Sequence, residues 1–437
     1  MIDIKEFKNR RKRLMDMIGS DSIAILPTAS ISIRNRDVEF PFRPDSDFFY
    51  LTGYPEPEAV LVLIPDRKQG ECILFCRERD KKMETWHGRR SGLEGALEKY
   101  AADDAFPIED MDDILPGLIE GHERVFYNMG NNQTFDQRVL GWVNQIKNNV
   151  RTGAIAPDEF VSLNHFLHEM RLYKSRYEIS LMRKAAKISA KAHKRAMESC
   201  TPGMYEYQIE GELIAEFIKN GARHSAYPSI IGSGRNSCIL HYTDNSDEMV
   251  EGDLLLIDSG AEYQCYASDI TRTFPVNGKF TKAQRDVYNL VLSAQKAAIN
   301  QIKPGKHWNN SHDTAVRVLT EGMVELGILK GDPDELIENG DYTKYYMHRT
   351  GHWLGMDVHD VGDYKLDGEW RMLEAGMVMT VEPGIYLPVD ESLPKELHNI
   401  GVRIEDDVLV TKDGNDVLSK DAPKTIDEIE ELMANAA

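Results

Sequence analysis

Apolar and polar positions fall into two regimes along the chain. Up to about residue 170, short apolar runs at 23–26, 60–64, 73–75 and 125–127 alternate with charged stretches. That is the pattern of buried strands separated by helices and loops. At the start, Ile4, Phe7 and Leu14 interleave with Lys and Arg, which predicts an amphipathic helix rather than a leader peptide. Residues 151–157, with Gly, Pro and Thr, predict a hinge before a connecting segment.

Beyond residue 170 the period lengthens. Ser175 followed by Glu178 is a capping box, and the helix it opens runs to about Ser199. Thr201-Pro202-Gly203 ends it, and a second helix runs to about Gly221, followed by strand-like runs. The order then recurs. Thr281 and Gln284 form another capping box, Lys303-Pro304-Gly305 breaks the helix, a second helix ends near Leu326, and strands follow. The strands repeat as well. Gly252 precedes five residues, Asp258, one residue and Gly260; Gly376 precedes five residues, Glu382, one residue and Gly384. The repetition predicts a duplicated unit with an acid at the matching strand end of each half, and a site between the halves.

Composition narrows the function. The 437 residues carry 52 basic and 72 acidic side chains, a formal charge of −20, so nucleic acid and anionic membrane are not expected partners. No apolar run is long enough to span a bilayer. The five cysteines are odd in number and scattered, which fits free thiols in a reducing cytoplasm rather than a disulfide framework. Cys72 and Cys76 share a strand-like run and lack a second Cys/His pair at zinc-finger spacing, so they are expected as buried thiols.

The candidate chemistry lies at the strand ends. Asp258 closes the apolar run at 254–257, and Asp269 follows eleven residues later across a segment suited to a hairpin. Two carboxylates set side by side repel each other unless a cation separates them. The second half supplies Glu382 after the run at 378–381, and Glu405 before the run at 408–410. An imidazole is available from His348 or His352, spaced four apart, with His359 beyond; Gly351 and Gly355 argue against a helix there. Four carboxylates and an imidazole suit hard-to-borderline divalent ions, and are enough to bridge two ions about 3.5–4 Å apart. Competing motifs are incomplete. His168-Glu169 lacks the second histidine of a zincin helix, and Gly232-Ser233-Gly234 lacks the third glycine of a dinucleotide loop.

These segments resemble the aminopeptidase P (Xaa-Pro aminopeptidase) family of pita-bread metallopeptidases. The likeness rests on residues 239–243, 256–260, 266–274, 351–360, 380–384 and 402–406, and, in the N-terminal region, on 43–53 and 86–90. It implies an α/β (α+β) chain with an N-terminal α/β domain over 1–172, serving oligomerisation and substrate access. A duplicated pita-bread catalytic domain over 173–437 would follow. It further implies two divalent ions, Mn²⁺ foremost with Co²⁺, Fe²⁺ or Zn²⁺ as alternatives, held by Asp258, Asp269, His352, Glu382 and Glu405. A hydroxide between the ions would attack the bond before proline, with Glu382 shuttling the proton. His241 and His359 would position substrate and stabilise the intermediate, and His348, Tyr386 and Arg403 would line the proline pocket. Trp86 would either reach a neighbouring subunit's site or pack in a core or interface. The substrates implied are peptides with proline second, cleaved by a homo-oligomer, dimer or tetramer, in the cytoplasm. A prolidase restricted to Xaa-Pro dipeptides has the same metal motifs, and a non-catalytic binding module of the same fold is disfavoured by the full ligand set. Arg349 departs from the small or apolar residues expected beside His348 and bears on specificity.

Overall fold

The computed structural model describes residues 2–436; Met1 and Ala437, at the outer ends of the two expected domains, lie outside them. The chain separates into two compact units, Met1–Met170 and Arg171–Ala437.

In the first unit, helix Ile4–Ile18 buries Phe7, Leu14 and Ile18, the face that its amphipathic spacing predicts. The expected strands form one six-stranded sheet. Its order is Asp104–Pro107, Cys72–Cys76, Val60–Leu63, Ser22–Pro27, Arg124–Phe126, Glu159–Val161. Val60–Leu63 and Cys72–Cys76 are buried at every residue, as continuous apolar runs with both faces covered must be. Helices Met111–Ile119 and Gln133–Asn148 cover one face through Leu115, Ile119, Val139 and Trp142. Cys72 and Cys76 are buried free thiols, as expected.

The hinge expected at 151–157 is not one. Gly121 N–H donates to the Ile155 carbonyl at 2.9 Å and Tyr127 N–H to that of Val161 at 2.9 Å. Residues 151–157 thus lead into Glu159–Val161, which pairs parallel with Arg124–Phe126. Their Gly and Pro serve a crossover within the sheet. The chain leaves this unit only after residue 170.

The second unit contains the repeated order. Helices Arg176–Ser199 and Glu206–Lys219 pack as one pair, Lys282–Ile299 and Asn309–Glu325 as another. Glu178 accepts from the Ser175 amide at 2.9 Å, and Thr281 and Gln284 cap reciprocally at 2.9 and 3.3 Å. Each pair is followed by a three-stranded sheet. The first runs Ile230–Ser233, Leu254–Asp258, Thr271–Pro275; the second Val378–Val381, Asp406–Val410, Asn415–Val417. A further ribbon, Gly384–Leu387 with Ile400–Arg403, carries Tyr386 and Arg403. One apolar core spans both halves, from Ile188 and Leu213 to Ile385 and Val402. Among the described residues no helix is long and apolar enough to cross a membrane.

Register fixes where the acids go. Asp258 pairs with Thr271, so Asp269 lies two residues beyond the end of that ladder. Val381 pairs with Asp406, so Glu382 and Glu405 lie one residue beyond the end of theirs. The two ends meet where the Glu405 amide donates to the Thr271 carbonyl at 3.1 Å. Gly260 is obligatory at the turn, because a Cβ there would lie 1.7 Å from the Ser268 carbonyl oxygen.

Candidate active site

The four strand-end acids converge with His352. One oxygen or nitrogen each from Asp269, His352 and Glu405 lies within 4.8 Å of the others. His352 Nε2 is 3.4 Å from Asp269 Oδ2 and 3.5 Å from Glu382 Oε1. Asp258 joins through Tyr227, whose hydroxyl is 2.6 Å from Asp258 Oδ1 and 2.5 Å from Asp269 Oδ1.

The histidine loop reaches this cluster by extending a sheet. Residues 350–354 run along Val378–Val381: Thr380 N–H donates to the His352 carbonyl at 2.9 Å and Glu382 N–H to that of Thr350 at 2.8 Å. The backbones approach so closely that a Cβ on Gly351 would sit 2.0 Å from the Thr380 carbonyl oxygen. The glycines that argue against a helix are therefore required by an extended docking. His352 N–H donates to Thr380 Oγ1 at 3.0 Å, and its Nδ1 lies 2.9 Å from the Trp353 carbonyl. Nδ1 therefore carries a hydrogen, and Nε2 faces the carboxylates.

Burial and neighbouring charges perturb every group here. Burial and then Asp269 push Glu405 well above the usual carboxyl range, and the same pair with Asp258 brings Glu382 up to about 7. Burial also raises Asp258, against the pull of Arg403 at 2.8 Å. Burial opposes ionisation of Asp269 too, but hydrogen bonding and charge from His352 hold it low. Burial works against protonation of His352, yet Asp269 and Glu382 lift it to about 9.

The cluster fits a divalent cation on its own chemistry. A phenol carries one hydrogen, so Tyr227 cannot donate to both aspartates; the second contact is satisfied only if a proton or a cation neutralises that carboxyl. Likewise the proton on His352 Nε2 stands where a cation would bind the lone pair. Asp258, Asp269, His352, Glu382 and Glu405 present an oxygen-rich set with one imidazole.

Further side chains complete the site. A cavity of about 600 Å³ is lined by Asp258, Glu382, His352, His348, His241, His359 and Arg403, with Leu240, Trp308, Arg349, Tyr364 and Trp370 among the remainder. Asp269 and Glu405 are not on that lining. Nor is Tyr386, 1% exposed, whose hydroxyl accepts from Arg403 at 2.8 Å and is 2.8 Å from His348 Nε2. His348 Nδ1 is 2.8 Å from the Arg349 carbonyl. Burial, then Arg403, pushes His348 down to about 3, so it is neutral. His359 packs edge-on to His352, centroids 4.4 Å apart, and burial followed by the charge on His352 keeps it low. Trp86 is not on the lining; it stands on helix Lys81–His87 of the first unit, 76% exposed.

Sequence reasoning missed Tyr227, Thr271 and Asp407. Thr271 Oγ1 donates to Glu405 at 2.7 Å, and Asp407 accepts the Asp269 amide at 3.1 Å. Asp407 stands two residues after Glu405 in the chain, a signal available but unused. Tyr227 is 31 residues from Asp258 and has no spacing signal.

Comparison with known proteins shows the family. Residues 180–412 match the family model for metallopeptidase family M24, and residues 7–127 that for the aminopeptidase P N-terminal domain. The chain belongs to the M24 metallopeptidases. Within that family it is 45% identical over 436 residues to the Xaa-Pro aminopeptidase of Escherichia coli K12, spanning 100% of this chain and 99% of the relative. The structure of Pseudomonas aeruginosa aminopeptidase PepP is 58% identical with a TM-score of 0.99, over 100% of this chain and 99% of that one. Zinc-substituted E. coli aminopeptidase P in complex with product is 45% identical with a TM-score of 0.97, over 100% and 99%. The M24 chain is thus a metallo-aminopeptidase of the aminopeptidase P group. It has that group's mixed α/β architecture, an N-terminal domain followed by the pita-bread catalytic domain.

Proposed function

We propose that the protein removes the N-terminal residue from peptides whose second residue is proline, using two divalent cations, Mn²⁺ foremost, with Co²⁺, Fe²⁺ or Zn²⁺ as alternatives. The reading rests on the clustering of Asp269 and Glu405 with His352, which shares a cavity lining with Asp258 and Glu382, and the activity of the relatives supports it. Cations bound there would acidify a shared water, supplying hydroxide for attack, and would polarise the scissile carbonyl. Asp269 and Glu405 would bridge the ions, Asp258 would hold one and His352 with Glu382 the other.

The chain's own residues do the rest. Glu382, on the cavity lining beside the cluster, would carry a proton to the proline nitrogen as the bond breaks. His359, kept neutral, offers a ring N–H to the developing oxyanion, with His241 on the same lining to position substrate. His348, held by Tyr386 and by the Arg349 carbonyl, and Arg403, held by Asp258 and Tyr386, would form the rigid side of the proline pocket. We further infer a cytoplasmic homo-oligomer, dimer or tetramer, with exposed Trp86 and the N-terminal domain serving contacts between copies and substrate access.

The test is to remove metal with a chelator, restore Mn²⁺, and assay Xaa-Pro-Xaa and Xaa-Pro side by side. Metal-dependent release of the first residue from the tripeptide supports the proposal. Cleavage of the dipeptide alone makes the protein a prolidase, and cleavage of neither despite metal uptake makes it a binding module.

A further inference from the structure

Arg349 follows His348 directly and lies on the cavity lining. Its guanidinium sits over the Trp370 indole, 5.0 Å from the ring centroid, and donates to Asn309 Oδ1. Both supports are themselves fixed. The Asn309 side-chain Nδ2 donates to Asp313 Oδ1 at 2.6 Å, and the Trp370 carbonyl is 2.7 Å from His307 Nδ1. The arginine is therefore braced on the wall rather than free to sweep through solvent.

Two arginines line this cavity, and they are used differently. Arg403 is paired with Asp258 at 2.8 Å and engaged by Tyr386. Arg349 makes no ion pair among the described residues. A guanidinium stacked on an aromatic face keeps its N–H edge available, and that edge matches a carboxylate in two-point geometry.

The smallest substrate proposed above, an Xaa-Pro-Xaa tripeptide, has one ammonium and one carboxylate at opposite ends. Cleavage of the first bond places the ammonium end of the substrate at the cluster of Asp258 and Glu382, so the carboxylate end lies away from it. The carboxylate has one unpaired complement on the lining, Arg349. We propose that Arg349, seated on Trp370, is a specificity residue that binds a carboxylate carried by the substrate beyond proline, and so favours short or acidic peptides. This rests on the proline-peptidase reading. The carboxylate can be the C-terminus of a tripeptide or the side chain of an acidic third residue.

The experiment uses metal-loaded wild type, Arg349→Ala and Arg349→Lys on three peptides: Ala-Pro-Ala, Ala-Pro-Ala-amide and Ala-Pro-Glu-amide. The readout is kcat and KM separately. The wild type should prefer the carboxylate-bearing peptides over Ala-Pro-Ala-amide. Arg349→Ala should reduce that preference about 5–20-fold, through KM, the range for a charge-assisted pair partly open to water. Lysine should restore part of it, because it keeps the charge without the fork. A response to Ala-Pro-Ala alone assigns the C-terminus, and one that includes Ala-Pro-Glu-amide assigns any carboxylate beyond proline. Equal losses on all three peptides, or a preference that survives Arg349→Ala, overturn the inference while leaving the peptidase reading intact. Failure of wild type on all three overturns both.

Discussion

Replacing Asp360 by Ala tests whether the histidine loop depends on the buried charges beneath it. Asp360 follows His359 directly. Its carboxylate is 2.6 Å from Arg171 and 2.9 Å from Lys174, and the side chains of Asp360, Arg171 and Lys174 are 1%, 3% and 1% exposed. Burial opposes its ionisation, but the charges of Lys174 and Arg171 hold it below the usual carboxyl range. Removing one partner of a buried pair leaves an uncompensated charge, at a cost of about 3–5 kcal/mol. Arg171 would keep Asp357 at 2.7 Å, which limits the loss, whereas Lys174 would keep no carboxylate among the described residues. A destabilisation of about 3–4 kcal/mol follows, lowering Tm by roughly 6–16 °C for a domain of this size. Asp360→Asn retains an acceptor and should fall between. The assay is calorimetric melting of all three proteins at pH 7, with kcat measured well below the lowest Tm. An Asp360→Ala protein that melts within about 2 °C of wild type would refute the reasoning.

Three other changes probe the acid cluster, the histidine loop and a buried imidazole. Tyr227→Phe removes the hydroxyl shared by Asp258 and Asp269, and should raise the Mn²⁺ concentration needed for half-maximal activity about 10–100-fold; an unshifted activation curve shows that the tyrosine does not organise the acids. Gly351→Ala places a Cβ 2.0 Å from the Thr380 carbonyl oxygen and should cost about 1–3 kcal/mol while displacing His352; a variant with wild-type Tm and turnover contradicts the extended docking of the loop. His193, fully buried with Nε2 3.0 Å from the Ser259 carbonyl, is pushed by burial from 6.5 down to about 4. The unfolded chain takes up a proton that the folded chain refuses, so this stability is complete above about pH 6.5 and declines by roughly 3 kcal/mol toward pH 4. The gap in Tm between wild type and His193→Gln should therefore narrow over that interval, and a constant gap counts against a neutral buried ring.

Much of the fold and of the site is legible in the residues because it follows from local rules. Strand positions such as 60–64 and 73–75 are apolar without interruption because both sheet faces are covered. The duplication shows because each half must repeat a capped helix, a break and a strand ending in an acid. The acids can be paired from the residues alone because side-chain position in a ladder is set by register. What stays hidden depends on approaches between distant segments. The reading of 151–157 as a hinge follows composition, whereas the strand at Glu159–Val161 bonds to a partner more than thirty residues earlier. Nothing near Tyr227 announces a hydroxyl placed between Asp258 and Asp269. The aromatic wall of Trp308, Tyr364 and Trp370 gathers from two separate segments, and Trp308 and Trp353 meet at 4.2 Å between ring centroids only in the folded chain.

The strand-end acids and His352 are proposed to form a centre for two divalent ions. Its most direct test is equilibrium dialysis against Mn²⁺ followed by elemental analysis, on wild type and on Asp269→Asn, with folding of both confirmed by melting. Wild type should hold two ions tightly per chain and the variant no more than one, because Asp269 is assigned to bridge both. No bound metal in wild type, or two ions retained by Asp269→Asn with unchanged affinity, would contradict that assignment.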